Sequence, residues 1–179
     1  MRLIALLRAI NVGGRVVKMD RLRAVVEAQG FGGVETFIAS GNVVFEGRAN
    51  QARKAERAIE RALLRELGYQ VATFVRTDVE LTAVAAHEPF APRAVEHAAT
   101  FSIGFLKDGL DKGATTRLMA LRTDADDFHL HGREVYWLST LRQSESKFNN
   151  AMFERVTKVP ATFRSITTVR KLVAKYPTE

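Results

Sequence analysis

Cysteine is absent from this sequence, proline occurs only four times, and aromatic residues make up 8%. Without cysteine there is no disulfide framework, no thiolate metal site and no cysteine nucleophile. A membrane helix needs about 20 apolar residues, but the apolar stretch that begins at Leu3 is interrupted at Arg8. That stretch is also too short for the core of a signal peptide. We therefore expect a cytoplasmic protein that has no membrane partner.

Acidic residues are outnumbered by basic ones, 20 against 27, which gives a net charge of +7. The excess is concentrated at both ends: residues 1–23 hold six Lys or Arg and one Asp, and residues 142–175 hold eight against two. Clustered positive charge favours anionic partners, and a merely solvated surface is an equally weighted alternative. The apolar content of 46% over 179 residues is typical of a globular protein.

Hydrophobic spacing in the first 76 residues predicts the order βαββαβ. Residues 2–10 are almost continuously apolar, as in a strand buried on both faces. Ser40, Gly41 and Asn42 form a tight-turn signal between two strands. The full prediction is strands at residues 2–10, 34–39, 43–46 and 71–76, and helices at residues 19–29 and 50–67.

The same order is predicted again farther along the chain, although the two halves share negligible sequence identity. Residues 87–98 contain Pro89 and Pro92 and are interpreted as a linker. Gly132 and Arg133 mark the turn of a hairpin. The prediction is a short helix at 78–86, strands at 100–106, 128–131, 134–138 and 161–164, and helices at 111–121, 147–157 and 165–175.

We therefore predict an α+β protein with two ferredoxin-like βαββαβ halves packed together, plus a C-terminal helix. Such a unit forms a four-stranded antiparallel sheet with helices on one face. Because several strands are apolar on both faces, we expect the second face of each sheet to be covered as well. The predicted division is 1–76 for the first half, 77–98 for a short helix and linker, 99–164 for the second half, and 165–179 for the C-terminal helix and tail.

This topology predicts a candidate ligand site at one edge of the first sheet. The first two strands of such a unit run in the same direction, so the loop after the first strand and the hairpin turn gather at one edge. Gly13 and Gly14 would let a ligand approach the backbone, and the following helix N-terminus favours anions. Arg8, Arg15 and Lys18 add positive charge. No Walker or dinucleotide-binding motif is present, and glycines that serve only the turn are the alternative.

Two further patterns involve charged or metal-ligating side chains. One helix face carries an arginine every four residues from Arg53 to Arg65, which would suit an anionic partner, although interspersed glutamates also neutralise it. His129 and His131 share one face of a strand, as in a metal site. The sequence offers no third ligand, so we predict no metal and no cofactor. His87 is interpreted as part of a turn.

Two functional patterns, one of an enzyme class and one of an RNA-binding module, are incomplete. Ser144 and Lys147 fit the Ser-x-x-Lys pattern of serine acyl-transfer enzymes, but the partner motifs of those enzymes are absent. An RNA-recognition motif needs exposed aromatic residues on its two central strands. The first strand has none and the third has only Phe45. The sequence therefore argues against both modes.

Polar, loop-rich motifs in both halves resemble a known family. They are residues 7–14 (LRAINVGG), Lys18, Met19, Leu22, Thr36, residues 40–45 (SGNVVF), residues 147–150 (KFNN), Phe153, Glu154, residues 162–164 (TFR) and residues 168–172 (TVRKL). Together they resemble the bacterial family known as domain of unknown function 1697. The resemblance covers nearly the whole chain and implies two ferredoxin-like subdomains but no established activity. The chain departs from the family at Ala9, where glycine is usual, and at residues 165–167, where an Asn-Trp-Asn stretch is usual.

The matching segments supply most of the candidate ligand-binding residues. These are Arg8, Asn11, Gly13, Gly14, Arg15, Lys18, Ser40, Gly41, Asn42, Lys147, Asn149, Asn150 and Arg164. Core packing does not require polar residues of this kind, so we hypothesise that they form one cleft between the halves. The alternative is that they only cap helices and hold turns.

The sequence favours binding of an anionic ligand, either a nucleic acid or a phosphorylated metabolite, at this basic edge. One alternative is a small phosphoryl- or acyl-hydrolysing enzyme at the same edge, with Arg15 and Asn42 in acylphosphatase-like positions. Another is a protein-interaction module that uses the arginine face. No nucleophile and base pair is visible, which weighs against the enzyme. Catalytic residues and the oligomeric state are left open.

Overall fold

The computed structural model describes residues 1–178, which form two compact units. Unit 1 comprises Met1–Ala83 together with the residues from Lys171 onward, and unit 2 comprises Val84–Arg170. Each unit contains one four-stranded antiparallel sheet. The predicted mixed α+β class is confirmed, with seven α-helices in the part of the chain that is described.

Unit 1 follows the predicted order of elements. Its elements are β1 (Arg2–Leu7), α1 (Met19–Glu27), β2 (Glu35–Phe37), β3 (Asn42–Glu46), a 3-10 turn (Ala49–Gln51), α2 (Ala52–Leu67) and β4 (Thr73–Thr77). Helix α2 ends at Gly68, whose φ of 79° closes the helix in the left-handed region that glycine favours. Helix α3 (Asp78–Ala86) follows directly and runs from unit 1 into unit 2.

Unit 2 repeats this order. Its elements are α4 (Pro92–Glu96), β5 (Thr100–Phe105), α5 (Lys112–Met119), β6 (Asp126–His131), β7 (Glu134–Ser139), α6 (Asn150–Thr157) and β8 (Thr162–Ser165). Helix α7 (Ile166–Lys175) follows, and its residues from Lys171 onward are assigned to unit 1. Helix α4 lies inside the segment that the sequence interpreted as a linker, where no helix was predicted. Pro92 occupies the first turn of the helix, where its missing N–H costs no intrahelical hydrogen bond.

The two sheets have equivalent strand orders, β2-β3-β1-β4 and β6-β7-β5-β8. Their registers agree as well. Ile4 on β1 lies between Val44 and Arg76, and Ile103 on β5 lies between Tyr136 and Arg164. An arginine therefore occupies the same register position on the last strand of each sheet. This correspondence agrees with a repeat of structure without a repeat of sequence.

The core of unit 1 lies between its sheet and its helices. Leu3, Ala5 and Leu7 on β1 pack in one cluster with Leu22 of α1 and Ile59 of α2. The intervening residues of β1 are also buried, so the strand is covered on both faces, as its unbroken apolar pattern predicted. Strand β1 lies in the middle of its sheet, where it pairs with β3 on one side and with β4 on the other.

The core of unit 2 is aromatic. Trp137 on β7 is 1% exposed and makes edge contacts with Phe148 and Phe163, with ring centroids 4.8 and 6.4 Å apart. Its indole N–H donates to Asp126 on the neighbouring strand at 2.9 Å. Asp126 also accepts the hydroxyl of Ser146 at 3.0 Å. The buried tryptophan thus keeps its polar atom satisfied, as a packed core requires.

Strand β1 ends earlier than the sequence predicted, at Leu7 rather than at residue 10. Ala9 adopts a φ of 56°, which is incompatible with extended backbone and ends the strand. The N–H of Arg8 donates to the carbonyl of Ala72, so the chain stays attached to the unit as it turns. Among the described helices, none is both long and apolar enough to cross a membrane.

Candidate functional site

The loop between β1 and α1 is held in a tightly turned conformation. We call residues 8–18 the glycine loop. Ala9, Asn11, Gly13 and Gly14 all have positive φ angles, between 56° and 81°. Nothing lies within 4 Å of the position where a Cβ of Gly13 or Gly14 would be, so both glycines serve the backbone conformation and face open space. The middle of the loop is therefore exposed backbone that a ligand can reach.

The Asn11 side chain connects the glycine loop to itself and to the segment before the hairpin turn. Its side-chain oxygen accepts the N–H of Val17 at 2.6 Å, and its side-chain nitrogen donates to the carbonyl of Ala39 at 2.8 Å. Asparagine tolerates the left-handed conformation better than most residues, and its short amide reaches local backbone groups. Asn11 thus joins the glycine loop to the turn that precedes β3. Its role in this structure is to shape this edge of the first sheet.

The hairpin turn at residues 40–42 lies against the glycine loop, as the topology predicted. The N–H of Leu7 donates to the carbonyl of Gly41 at 2.8 Å. A Cβ at Gly41 would meet Ile10 and Leu7 at 3.1 and 3.2 Å, so only glycine fits this close approach. Asn42 is 0% exposed, and its amide donates to the carbonyl of Phe37 and to the hydroxyl of Ser40. In this structure Asn42 therefore stabilises the hairpin turn through hydrogen bonds from a buried side chain.

The three positively charged residues of this edge differ in exposure and in their contacts. The guanidinium of Arg15 lies 4.2 Å from the ring centroid of Tyr69, which restricts where the charge can move. Lys18 is the N-cap residue of α1, and its side chain makes no capping hydrogen bond. Arg8 is half-buried at the start of the loop. The exposed cations of the segment that leads into α1 are thus Arg15 and Lys18.

The remaining candidate residues belong to unit 2. Asn149 is the N-cap of α6, and its side-chain oxygen accepts the N–H of Met152 at 2.8 Å. Asn150 donates to the carbonyl of Ala161 at 3.0 Å, while its side-chain oxygen is buried without a hydrogen-bond partner among the described residues. Lys147 is exposed beside them. Helix capping, one of the two alternatives given by the sequence, accounts for Asn149.

Arg164 has a different environment from the other candidates. It is 9% exposed, and its guanidinium donates to the hydroxyl of Thr162 and to the carbonyl of Phe163. Burial lowers the pKa of Arg164 to about 10, which still leaves the group charged at neutral pH. Arg76, at the equivalent register position of unit 1, is 1% exposed and donates to the carbonyl of Val75. The matching burial of the two arginines points to a shared structural role.

The arginine face of α2 is partly neutralised. Arg53 lies 3.4 Å from Glu56, whose side chain is 3% exposed. Arg57, Arg61 and Arg65 are exposed on the same helix. The predicted neutralisation by an interspersed glutamate is thus observed at Arg53.

Sequence reasoning missed one side chain of a histidine cluster in unit 2. His129 and His131 share a face of β6, as predicted, and His87 joins them from the residue that follows α3. His87 lies 42 positions from His129 along the chain, and no motif spacing connects the two. Only the packing of α3 against β7 could have revealed this neighbour, through the hydrogen bond that Tyr136 donates to Val84 at 3.1 Å.

The fold is that of an α+β protein with two four-stranded antiparallel sheets of equivalent order. The chain belongs to the family described as Protein of unknown function (DUF1697), whose model matches residues 1–136. A solved structure, that of the conserved bacterial protein SP0830 from Streptococcus pneumoniae, is similar with a TM-score of 0.77 and 22% sequence identity. The similarity covers 99% of this chain and 98% of that one and supports the fold. No curated protein matches this chain.

Proposed function

We propose that this protein binds a phosphate-bearing ligand, a nucleic acid or a phosphorylated metabolite, at the glycine loop of unit 1. The observation that carries this proposal is the pairing of exposed, open backbone at Gly13 and Gly14 with two exposed cations, Arg15 and Lys18, at the start of α1. The loop is already fastened by Asn11, so binding would cost little ordering of the backbone.

The start of α1 supplies the donors that a phosphate needs. The first N–H groups of a helix have no intrahelical acceptor, and they carry a partial positive charge. Lys18, at the N-cap position, carries an ammonium group that can only donate hydrogen bonds, so it cannot occupy these N–H donors. Asp20 is the only acidic residue of the first turn, and its exposed side chain is directed towards Arg23 at 3.8 Å. Phosphate would thus meet N–H groups and two full charges together.

We further infer that each half has the ferredoxin-like topology and that the protein acts in the cytoplasm. The strand order β2-β3-β1-β4 with helices between the strands supports the first inference. The absence of cysteine supports the second, because it removes any need for an oxidising compartment. Contacts by Lys147, Asn149, Asn150 and Arg164 to the same ligand remain a prediction.

The nucleic-acid form of the proposal is tested by fluorescence anisotropy. The full chain is titrated against labelled single-stranded RNA, single-stranded DNA and duplex DNA at two salt concentrations. Binding should weaken steeply with salt, because phosphate contacts release counterions. Arg15→Ala and Lys18→Ala should each weaken binding roughly tenfold, as expected for the loss of a hydrogen-bonded charge. Lys147→Ala tests whether unit 2 takes part.

A matched control comes from α2. Arg61→Ala removes the same charge from an exposed position outside the glycine loop, so it should leave affinity nearly unchanged. If Arg61→Ala and Arg15→Ala weaken binding equally, the arginine face or general surface charge is responsible and the proposed site is wrong. Thermal shift with inorganic phosphate, pyrophosphate and a nucleoside triphosphate tests the metabolite form. No binding of any of these probes at low salt contradicts the proposal.

A further inference from the structure

Three of the four histidines in the chain meet at one place in unit 2. His129 and His131 lie two residues apart on β6, the edge strand of the second sheet, and His87 follows the end of α3. One ring nitrogen from each histidine lies within 4.8 Å of the other two. The ring centroid of His87 is 5.5 Å from that of His129 and 4.2 Å from that of His131. His87 thus lies beside two histidines that follow it by 42 and 44 positions in the sequence.

His87 has a nitrogen that lacks a partner. Its Nε2 atom is buried, and no hydrogen-bonding atom among residues 1–178 satisfies it. Such atoms are rare, because an unsatisfied buried polar atom loses its water without compensation. Tyr136, whose ring lies 5.1 Å away, does not satisfy it, since its hydroxyl donates to the carbonyl of Val84. A bound cation would give this nitrogen the partner that it lacks.

We propose that His87, His129 and His131 bind one divalent transition-metal ion of the zinc class. Neutral imidazole nitrogen is a preferred ligand of zinc, nickel, copper and cobalt, and calcium and magnesium prefer oxygen. Three protein ligands are the number found in catalytic zinc sites, where water fills the fourth position. The cysteine-free sequence offers no thiolate that would compete for the ion.

The geometry of the cluster fits one ion after small movements. One ring nitrogen of each histidine already lies within 4.8 Å of the other two. Zinc holds nitrogen ligands at about 2.0–2.1 Å, which places neighbouring nitrogens of a tetrahedral site about 3.3–3.4 Å apart. The three ring nitrogens must therefore move closer together when the ion binds, and rotation of the side chains would bring them there. His131 is exposed and His129 half-buried, so both have room to turn.

The test is a zinc titration of the full chain after removal of metal with a chelator. Isothermal titration calorimetry with zinc chloride should show one ion bound per chain. His129→Ala and His131→Ala change partly exposed positions and should fold normally, and each should weaken zinc binding by at least about tenfold. His87→Ala should do the same. Circular dichroism of every variant establishes that folding is retained.

The fourth histidine provides the matched control. His97 lies just after α4, where its Nδ1 donates to the carbonyl of Arg93 at 2.8 Å, and it is outside the cluster. His97→Ala should therefore bind zinc like the unchanged chain. Absence of stoichiometric zinc binding overturns the proposal, as does an equal loss in His97→Ala. Undiminished binding by a folded His87→Ala would leave only the pair on β6 and would also overturn the three-histidine site.

Cobalt gives a second readout that does not depend on affinity alone. Cobalt in a tetrahedral site of histidine and water has visible absorption bands that hexahydrated cobalt lacks, so they should appear on addition of one equivalent. Zinc should remove them by displacement. His131→Ala should abolish the bands and His97→Ala should retain them. The opposite pattern contradicts the assignment of ligands.

Discussion

Glu56 on α2 accepts the backbone N–H of Val75 on β4 at 2.9 Å. Strand β4 is an edge strand of the first sheet, so alternate N–H groups along it have no neighbouring strand. Glu60 accepts the N–H of Thr73 at 2.9 Å, and Glu80 accepts that of Thr77 at 2.8 Å. Carboxylates thus satisfy three alternate donors, which removes the template for pairing with another chain.

The first prediction concerns the stability that Glu56 provides. Glu56→Ala should lower the free energy of unfolding by about 1–3 kcal/mol, because a buried N–H loses its acceptor. Glu56→Gln keeps an acceptor oxygen and should cost less. Urea denaturation followed by circular dichroism measures both. Arg57→Ala, an exposed change one residue away, should stay within about 0.5 kcal/mol. A Glu56→Ala variant as stable as the parent would show that this contact contributes nothing.

The second prediction concerns Ala9. Its φ of 56° lies in the left-handed region, where a Cβ costs about 1–2 kcal/mol. Ala9→Gly relieves that strain but adds freedom to the unfolded chain, which offsets part of the gain. The variant should therefore be more stable by about 0.5–1 kcal/mol in urea denaturation. Lower stability of Ala9→Gly would mean that the loop does not hold this conformation in solution.

The third prediction concerns the role of Asn11 in the glycine loop. Asn11→Ala removes the acceptor of the Val17 N–H and the donor to Ala39. Hydrogen exchange of the Val17 amide should accelerate, and the loss of two bonds should destabilise the protein by about 1–3 kcal/mol. Phosphate affinity should fall because the loop must then be ordered on binding. Unchanged exchange at Val17 would contradict the fastening role.

The fourth prediction concerns pH. The Tyr176 hydroxyl donates to Glu35 at 2.7 Å and, with the charge of Lys175, lowers the pKa of Glu35 from 4.5. A carboxyl with a lowered native pKa stabilises the fold above its unfolded pKa, and that stabilisation is lost as pH falls through the native value. In Tyr176→Phe the pKa of Glu35 should rise in a carboxyl carbon NMR titration. The acid-induced loss of stability should become smaller. No change in that pKa would refute the link.

Much of the fold follows from local patterns in the sequence. The unbroken apolar run of β1, the helical spacing of α2 and the stop at Gly68 are visible in the sequence because they depend on neighbouring residues. The end of β1 was misjudged because the apolar run from residue 2 to residue 10 contains no glycine or asparagine that would signal the positive φ of Ala9. Helix α4 was missed because Pro92 was taken to mark a linker, whereas proline is also favoured in a first helical turn.

The topology predicted from the sequence was enough to show which loops lie together at the candidate site. Parallel directions of β1 and β2 suffice to bring the glycine loop and the hairpin turn together. Sequence could not show that Asn42 is fully buried or that Glu56 reaches Val75, since both depend on packing between distant segments. The same holds for His87, whose place beside β6 results from tertiary packing rather than from any spacing of histidines.

Phosphate binding at the glycine loop can be located residue by residue in an NMR titration. Amide spectra of the labelled chain are recorded while pyrophosphate is added at low salt. Saturable shifts should concentrate at Gly13, Gly14 and the first-turn amides of α1, and Arg15→Ala should weaken them. The amide of Gly132, in a turn of unit 2, serves as the internal reference. Shifts that are absent from the glycine loop, or centred elsewhere on the chain, would contradict phosphate binding at this loop.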